Sequence, residues 1–246
     1  FQEWFGKVNR KNGEMNIRLW DGNTRLTTWF DSFLPSYDYI QSEEAIDQVV
    51  NDALWWMEEY DLDGFRQDAV KHVPHKFWKK LTKKIKTKII GKKIYQIGET
   101  FGSDDLISSY VNPSELDAQF NFSIYFNVRQ LFSSNSTDFT GTDKVIIENT
   151  LAYGPTHLMG NITSSHDQLR FTSYADGQIS FDEDGTRRAL NDPVQDVFNS
   201  SSLNKLINFH AFNCSQPGIP IIYYGEEIGL MGEQDPGNRR PMKFEL

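Results

Sequence analysis

The sequence is short of cysteine. Of its 246 residues only Cys214 carries a thiol, which excludes an intrachain disulfide framework and any thiolate-cluster metal site. A single thiol fits either redox compartment. No stretch approaches the roughly 20 consecutive apolar residues that cross a bilayer, so no membrane span is expected. Positive charge is also scarce: 25 Lys and Arg face 34 Asp and Glu, and the net charge of −9 repels a phosphate backbone, so nucleic acid is not an expected partner. No glycine-rich dinucleotide loop or Walker loop is present. The five histidines, His72, His75, His157, His166 and His210, form no H-E-x-x-H arrangement, although His72 and His75 lie three apart, so a metal site is not assigned. No internal repeat or low-complexity tract breaks the chain, and the Ser/Asn/Thr stretch over 133–137 reads as an ordinary loop. The chain opens at Phe1 without a Met and is expected to be a fragment, so the lack of a leader says nothing of the parent protein.

What the chain has in quantity is aromatic surface. Six Trp, ten Tyr and eighteen Phe make up 14% of the residues, enough volume for a substantial core and a surplus that suggests a stacking surface. The length suits one large domain or two small ones, and an α/β barrel uses about 250 residues.

Residues 1–40 show little periodicity and carry turn formers at Lys11-Asn12-Gly13 and Asp21-Gly22-Asn23. From Ser42 the pattern changes to helical spacing, with Ile46, Val49, Val50, Ala53, Met57 and Tyr60 on one stripe, Ser42 placed to cap, and Glu43 and Glu44 in the first turn. A buried strand is expected over 64–70, then a helix from about Pro74 whose inner stripe is Phe77, Trp78, Leu81, Ile85 and Ile89. Its lysines, Lys79, Lys80, Lys83, Lys84 and Lys86, read as a solvated face. Strands follow over 94–99, 116–122 and 158–165, with helices over 106–110, 125–132 and 142–151. A last helix carries the stripe Leu203, Leu206, Ile207, His210, Ala211 and Cys214, which makes His210 a packed core residue. The final strand spans 218–225. Strands alternating with helices imply a parallel sheet with helical crossovers, either open or closed into a barrel.

In parallel α/β folds the chemistry collects at the carboxyl ends of the strands. Three expected strands end in acids: Asp68, Glu99 and Asp167. Each alone suits a helix cap or loop anchor, but repeated acids at one end suggest a shared task. A side-chain period of two puts Arg66 on the face of Asp68, where its guanidinium would keep the carboxylate ionised as a nucleophile requires; a structural ion pair is the competing explanation. Glu99 follows an apolar strand and precedes Thr100-Phe101-Gly102, a setting expected to raise its pKa and let it donate a proton. One ionised and one protonated carboxyl form the two-carboxylate solution to glycosidic bond cleavage. His166 beside Asp167 could bond a hydroxyl while the carboxylate offsets positive charge; a loop histidine next to a capping aspartate is the plain alternative.

These residues resemble a known family. Gly64-Phe65-Arg66-Gln67-Asp68-Ala69-Val70-Lys71-His72 resembles the G-F-R-x-D-A-x-K-H motif of the α-amylase family of glycoside hydrolases (family 13), Gly98-Glu99-Thr100 its acid motif, and His166-Asp167 the end of its N-H-D motif, in the same order. The segment from Gly218-Ile219-Pro220 to Tyr223-Tyr224-Gly225-Glu226-Glu227 resembles the family's last barrel strand, and Asp235-Pro236-Gly237-Asn238-Arg239-Arg240-Pro241 is similar to a loop of its cyclomaltodextrinase and neopullulanase members. Carried over, the resemblance implies Asp68 as nucleophile, Glu99 as general acid/base and Asp167 as transition-state stabiliser. It implies Arg66 orienting Asp68, His166 at the sugar of the cleavage point, Lys71 and His72 on the leaving-group side, and Asp235 with Arg239 on a sugar at the other side.

The implied fold is a partial (β/α)8 TIM barrel, running from its third helix to its eighth strand: residues 1–40 would be the end of inserted domain B, 41–232 the barrel, and 233–246 a substrate-binding loop. The first three strands and a C-terminal β domain would belong to the rest of the parent. The family's first motif is absent, and Ser165 stands in place of the Asn of the third. Leu34-Pro35-Ser36-Tyr37-Asp38 resembles the family's L-P-D-L-N segment, with Ser36 replacing an acid that binds calcium in many members; this makes calcium doubtful, and no other cofactor is implied. The implied activity is a retaining hydrolase of α-glucans or maltooligosaccharides. The rivals are a transglycosidase or isomerase with the same site and a non-catalytic sugar-binding relative. Asn135-Ser136-Thr137 and Asn199-Ser200-Ser201 match the glycosylation pattern without fixing a compartment; an extracytoplasmic location, periplasmic or secreted, is the expectation carried forward.

Overall fold

The computed structural model describes residues 2–6, 23–31, 33–134, 138–196 and 199–244. The turns expected at Lys11-Asn12-Gly13 and Asp21-Gly22, and the tripeptide Asn135-Ser136-Thr137, lie outside the described residues. The chain divides into two compact units, Phe1–Gln119 and Phe120–Leu246.

In the first unit, helix α1 (Glu43–Tyr60) starts where expected because the Ser42 side chain accepts the Ala45 N–H at 3.1 Å, with Glu43 and Glu44 at the positive end of the helix. It buries Ala45, Ile46, Val50, Leu54 and Met57. Tyr60 departs from the expected stripe: it is 57% exposed, its ring stacked on Trp56 at 5.0 Å at the outer end of the helix. Strand β1 (Gly64–Gln67) follows. Pro74 then stands at the N-cap of α2 (His75–Lys88), which buries Phe77, Trp78, Leu81 and Ile85. Its lysine face is exposed or half-buried, and Lys76 and Lys80 bridge to Glu43 and Asp47 of α1. Exposed pairs of this kind contribute less than about 1 kcal/mol each.

Strand β2 (Tyr95–Gly98), the short helix α3 (Asp104–Ser108) and β3 (Ala118–Gln119) complete the unit. The strands lie in the order β1-β2-β3, all parallel, with Gly64 opposite Tyr95 and Gln67 opposite Gly98. Gly64 is required at this approach, since a Cβ there would lie 1.7 Å from the Tyr95 carbonyl oxygen. The strand expected over 116–122 is shortened to two residues, because Asn121 leaves the extended pattern to cap the next helix, accepting the Ile124 N–H at 3.2 Å.

The second unit contains α4 (Phe122–Ser133), α5 (Thr142–Tyr153), β4 (Gly160–Ile162), α6 (Phe171–Ala175), α7 (Gly185–Asn191), α8 (Ser200–Ser215) and β5 (Ile219–Ile221). Strands β4 and β5 pair in parallel, with Gly160 opposite Ile219, and Phe120 bridges to Gly160. Helix α8 turns a different face inward from the one its apolar spacing suggests. Ser202, Leu206, Phe209 and Asn213 are buried, whereas Ile207 is 53% exposed, Cys214 is exposed and His210 is half-buried. The reason is polar: Asn213 donates to the Ile162 carbonyl at 3.1 Å and Ser202 to Asp176 at 3.1 Å, so both are drawn inside, and Phe209 stacks on Phe132 at 5.0 Å. Among the described residues no helix is long and apolar enough to cross a membrane.

Candidate active site

The first unit brings two of the three acids together. The parallel ladder continues past the strand ends, with the Glu99 N–H on the Gln67 carbonyl and the Val70 N–H on the Glu99 carbonyl, both at 2.9 Å. Asp68 and Glu99 therefore leave neighbouring strands at matching positions, and parallel neighbours lie about 4.8 Å apart. Arg66 lies between their carboxylates. One guanidinium nitrogen pairs closely with Asp68 Oδ1, as the side-chain alternation implies, and the other lies 2.8 Å from Glu99 Oε2. The second contact is not readable from local spacing, because it depends on the register of β1 against β2. The acids differ sharply in environment: the Asp68 side chain is 72% exposed and that of Glu99 9%.

Directly after Asp68 the backbone turns back. Ala69 has φ 47° and ψ 42°, a left-handed conformation that costs an L-residue about 1–2 kcal/mol. Strain of this kind, held by its surroundings, is often found at functional sites. It delivers the chain into the tight turn Val70–His72, and the Val70 N–H onto Glu99. Lys71 is buried, 4% exposed, and its Nζ donates to the Phe101 carbonyl at 2.8 Å. It thereby straps the segment after β1 to the segment after β2. Arg25 Nε reaches the Lys71 carbonyl at 2.8 Å, and Phe30 meets the His72 ring edge-on at 5.0 Å, so residues from the irregular N-terminal region wall this side.

Burial, with the charges of Lys71 and Arg25 behind it, pushes the His72 pKa from 6.5 down to about 4. The folded state therefore holds the imidazole neutral while the unfolded chain binds a proton already near pH 6.5. Stability from this residue is complete above about pH 6.5 and is lost as the pH falls toward 4. Allowing for partial exposure and screening, the loss is about 1–2 kcal/mol. Urea unfolding at pH 7 and 4.5 should show His72→Gln losing that much less than the natural protein; equal losses would contradict this account.

The second unit gathers the other expected residues. After β4, the His166 Nε2 lies 3.0 Å from Asp167, and Arg239 NH2 lies 3.1 Å from Asp167 and 3.3 Å from Asp235. Arg239 Nε also donates to the His166 carbonyl at 3.1 Å. All four side chains are between 39% and 50% exposed, open to a ligand. Three further charged residues, Glu226, Glu233 and Arg170, build this site without having been singled out as site residues. Glu226, buried, accepts from the Thr163 and Ser164 hydroxyls and, at 3.1 Å, from the Tyr223 N–H. Glu233, fully buried, takes Arg240 NH2 at 3.1 Å on each oxygen. Arg170 lies over the Tyr223 ring at 4.0 Å and donates through Nε to the Asn238 carbonyl at 3.0 Å. Glu226 falls in the stretch that resembles the family's last barrel strand, while Glu233 and Arg170 lie in no motif and show their burial only in the fold.

In the stretch that resembles L-P-D-L-N, the side-chain oxygens of Ser36 and Asp38 are taken up by backbone amides. Ser36 Oγ accepts the Phe30 N–H at 2.9 Å, and Asp38 Oδ1 accepts from Ile40 and Gln41 at 3.1 Å. Among the described residues no three His, Cys, Asp or Glu side chains stand together as a metal site.

The profile of the alpha-amylase catalytic domain matches residues 12–244. The maltogenic alpha-amylase of Bacillus acidopullulyticus is 28% identical over 218 residues, 89% of this chain and 32% of its own. The cyclomaltodextrinase of Thermoanaerobacter pseudethanolicus is 26% identical over 247 residues, 98% of this chain and 38% of its own. Among solved structures, the Anoxybacillus α-amylase superposes with a TM-score of 0.80 at 26% identity, over 99% of this chain and 47% of its own. The α-amylase of Geobacillus thermoleovorans, complexed with acarbose, superposes with a TM-score of 0.79 at 27% identity, over 99% and 48%. The chain thus spans about a third of the length of these curated relatives. With its parallel strands, its acids at strand ends and a match across nearly its whole length, the chain belongs to the alpha-amylase family and represents part of that family's catalytic TIM-barrel domain.

Proposed function

We propose that the protein is a retaining glycosidase that cleaves α-glucosidic bonds of starch-like α-glucans or maltooligosaccharides. The observation that carries this reading is the grip of a single guanidinium, Arg66, on both Asp68 and Glu99. Two carboxylates spanned by one Arg lie close, as the separation of about 5–5.5 Å in retaining enzymes demands, and leave little room for the water that an inverting enzyme places between acid and base. Asp68, exposed and paired with a cation, attacks the anomeric carbon. The bond from that carbon to the leaving oxygen breaks, and that oxygen takes the proton of Glu99. In the second half Glu99 takes a proton from water, the hydroxide oxygen bonds to the anomeric carbon, and Asp68 is released. Asp167 offsets the positive charge that develops on the ring. His166 binds the reacting sugar, Lys71 and His72 serve the leaving-group side, and Asp235 with Arg239 holds a sugar on the other. Lys71 does so by shaping the wall through its strap to Phe101.

On this reading β1 to β5 are the fourth to eighth strands of a (β/α)8 barrel. Residues 1–40 end an inserted domain, 41–232 form the barrel from its third helix, and 233–246 form a sugar-binding loop. The chemistry runs on the protein's own carboxyl groups, without a cofactor. The polymeric substrate favours an extracytoplasmic location. The test is incubation of the protein with starch, pullulan and cyclodextrin, with sizing of the products. Shorter linear maltooligosaccharides, with one new reducing end per cut, are expected. Products longer than the substrate would assign glucosyl transfer instead, isomers without new reducing ends would assign isomerisation, and unchanged substrates would assign a binding relative.

A further inference from the structure

We propose that Asn238 is a positioning residue for Asp167, an inference that rests on the role given to Asp167 above. Asn238 is fully buried. Its amide nitrogen donates to three backbone carbonyls, those of Ser165 at 3.2 Å, His166 at 2.7 Å and Gln168 at 2.9 Å. These carbonyls bracket Asp167 in the chain. Two amide hydrogens thus serve three acceptors, one of them shared. The orientation of the amide is fixed by chemistry: turned over, its oxygen would face three carbonyl oxygens and repel each of them.

The residue that does the holding is itself held. The Asn238 backbone carbonyl takes Arg170 Nε at 3.0 Å, and the loop that carries Asn238 is closed by the pair of buried Glu233 with half-buried Arg240 at 3.1 Å. A Cβ on Gly237 would lie 1.9 Å from Glu233 Oε2, so the loop wraps directly around that carboxylate. From this base the next residue, Arg239, reaches the Asp167 carboxylate at 3.1 Å. Asn238 sets the backbone of the His166–Asp167 turn and Arg239 sets the side chain. Two successive residues of one loop therefore define where the negative charge of Asp167 stands.

The test compares Asn238→Ala and Asn238→Asp with Asp167→Asn, on maltooligosaccharide hydrolysis. Ala removes the donors. Asp also sets a charged oxygen against the three carbonyls, so its effect should be the larger. An ångström of misplacement in a catalytic group lowers the rate about 100-fold, and that loss is expected in kcat for Asn238→Asp, with KM within about threefold. In the Asp167→Asn background the same change should lower kcat by no more than about threefold further, because two changes acting through one group do not add. Natural kcat in both Asn238 variants, losses that multiply fully with that of Asp167→Asn, or losses that merely follow the folded fraction in thermal melting would each overturn the proposal. If the natural protein cleaves no maltooligosaccharide, the activity reading is what fails, and amide hydrogen exchange across 163–170 then decides the case for Asn238. Faster exchange in Asn238→Ala supports its hold on the turn, and unchanged exchange refutes it.

Discussion

Glu99→Gln should lower hydrolysis of maltooligosaccharides about 10³- to 10⁴-fold while leaving the thermal melting point close to that of the natural protein. General acid/base assistance contributes about 10² to 10⁴ in rate, and Glu99 is assigned to both halves of the reaction. Gln has nearly the same shape, and its amide oxygen takes the place of the carboxylate oxygen that lies 2.8 Å from Arg66 NH2. The fold therefore loses little, and the loss of rate reports chemistry. A glucoside whose leaving group is already strongly acidic needs no donated proton, so its first step should be far less impaired. Near-normal starch hydrolysis by Glu99→Gln would remove Glu99 from the mechanism. Equal impairment in the bond-breaking step on both kinds of substrate would make its role structural.

The second large effect is expected at Arg66. Arg66→Met should lower kcat about 10²- to 10³-fold and destabilise the fold by about 2 kcal/mol. The kinetic part follows from orientation, since Asp68 is otherwise an exposed side chain free to swing and a misplaced nucleophile costs about 100-fold. The stability part follows from Glu99, whose side chain is 9% exposed and would lose the polar partner 2.8 Å from its carboxyl oxygen. Breaking a wholly buried pair costs about 3–5 kcal/mol; the partial exposure of Arg66 reduces this. Arg66→Lys restores charge but not the fork, and one ammonium cannot align two carboxylates as a planar guanidinium does. It should recover most of the stability and little of the rate, as urea unfolding and initial-rate kinetics would reveal. Full recovery of rate by Lys would mean that charge alone, without orientation, is what Asp68 and Glu99 need.

Features set by nearest neighbours along the chain were legible in advance. The Ser42 cap, the buried stripes of α1 and α2, and the strands ending at Asp68 and Glu99 follow from helical and two-residue periods. So does the placement of Arg66 on the face of Asp68. Features set between segments were not. The second partner of Arg66 depends on strand register, the inward face of α8 on where Asn213 finds an acceptor, and the short β3 on a cap that belongs to the following helix. Asn238 illustrates the limit. It sits within a recognised stretch, yet its importance lies in three carbonyls about seventy positions earlier in the chain, and backbone oxygens leave no mark in a pattern of side chains.

The strap made by Lys71 has a consequence for how the protein answers its medium. The lysine bridges between α1 and α2 lie in water, and dissolved salt weakens them. The Lys71 ammonium is shut away from ions and bonded to a peptide oxygen, so the same salt leaves it in place. Brine can soften the outer helical layer of this unit while the floor under Asp68 and Glu99 keeps its dimensions.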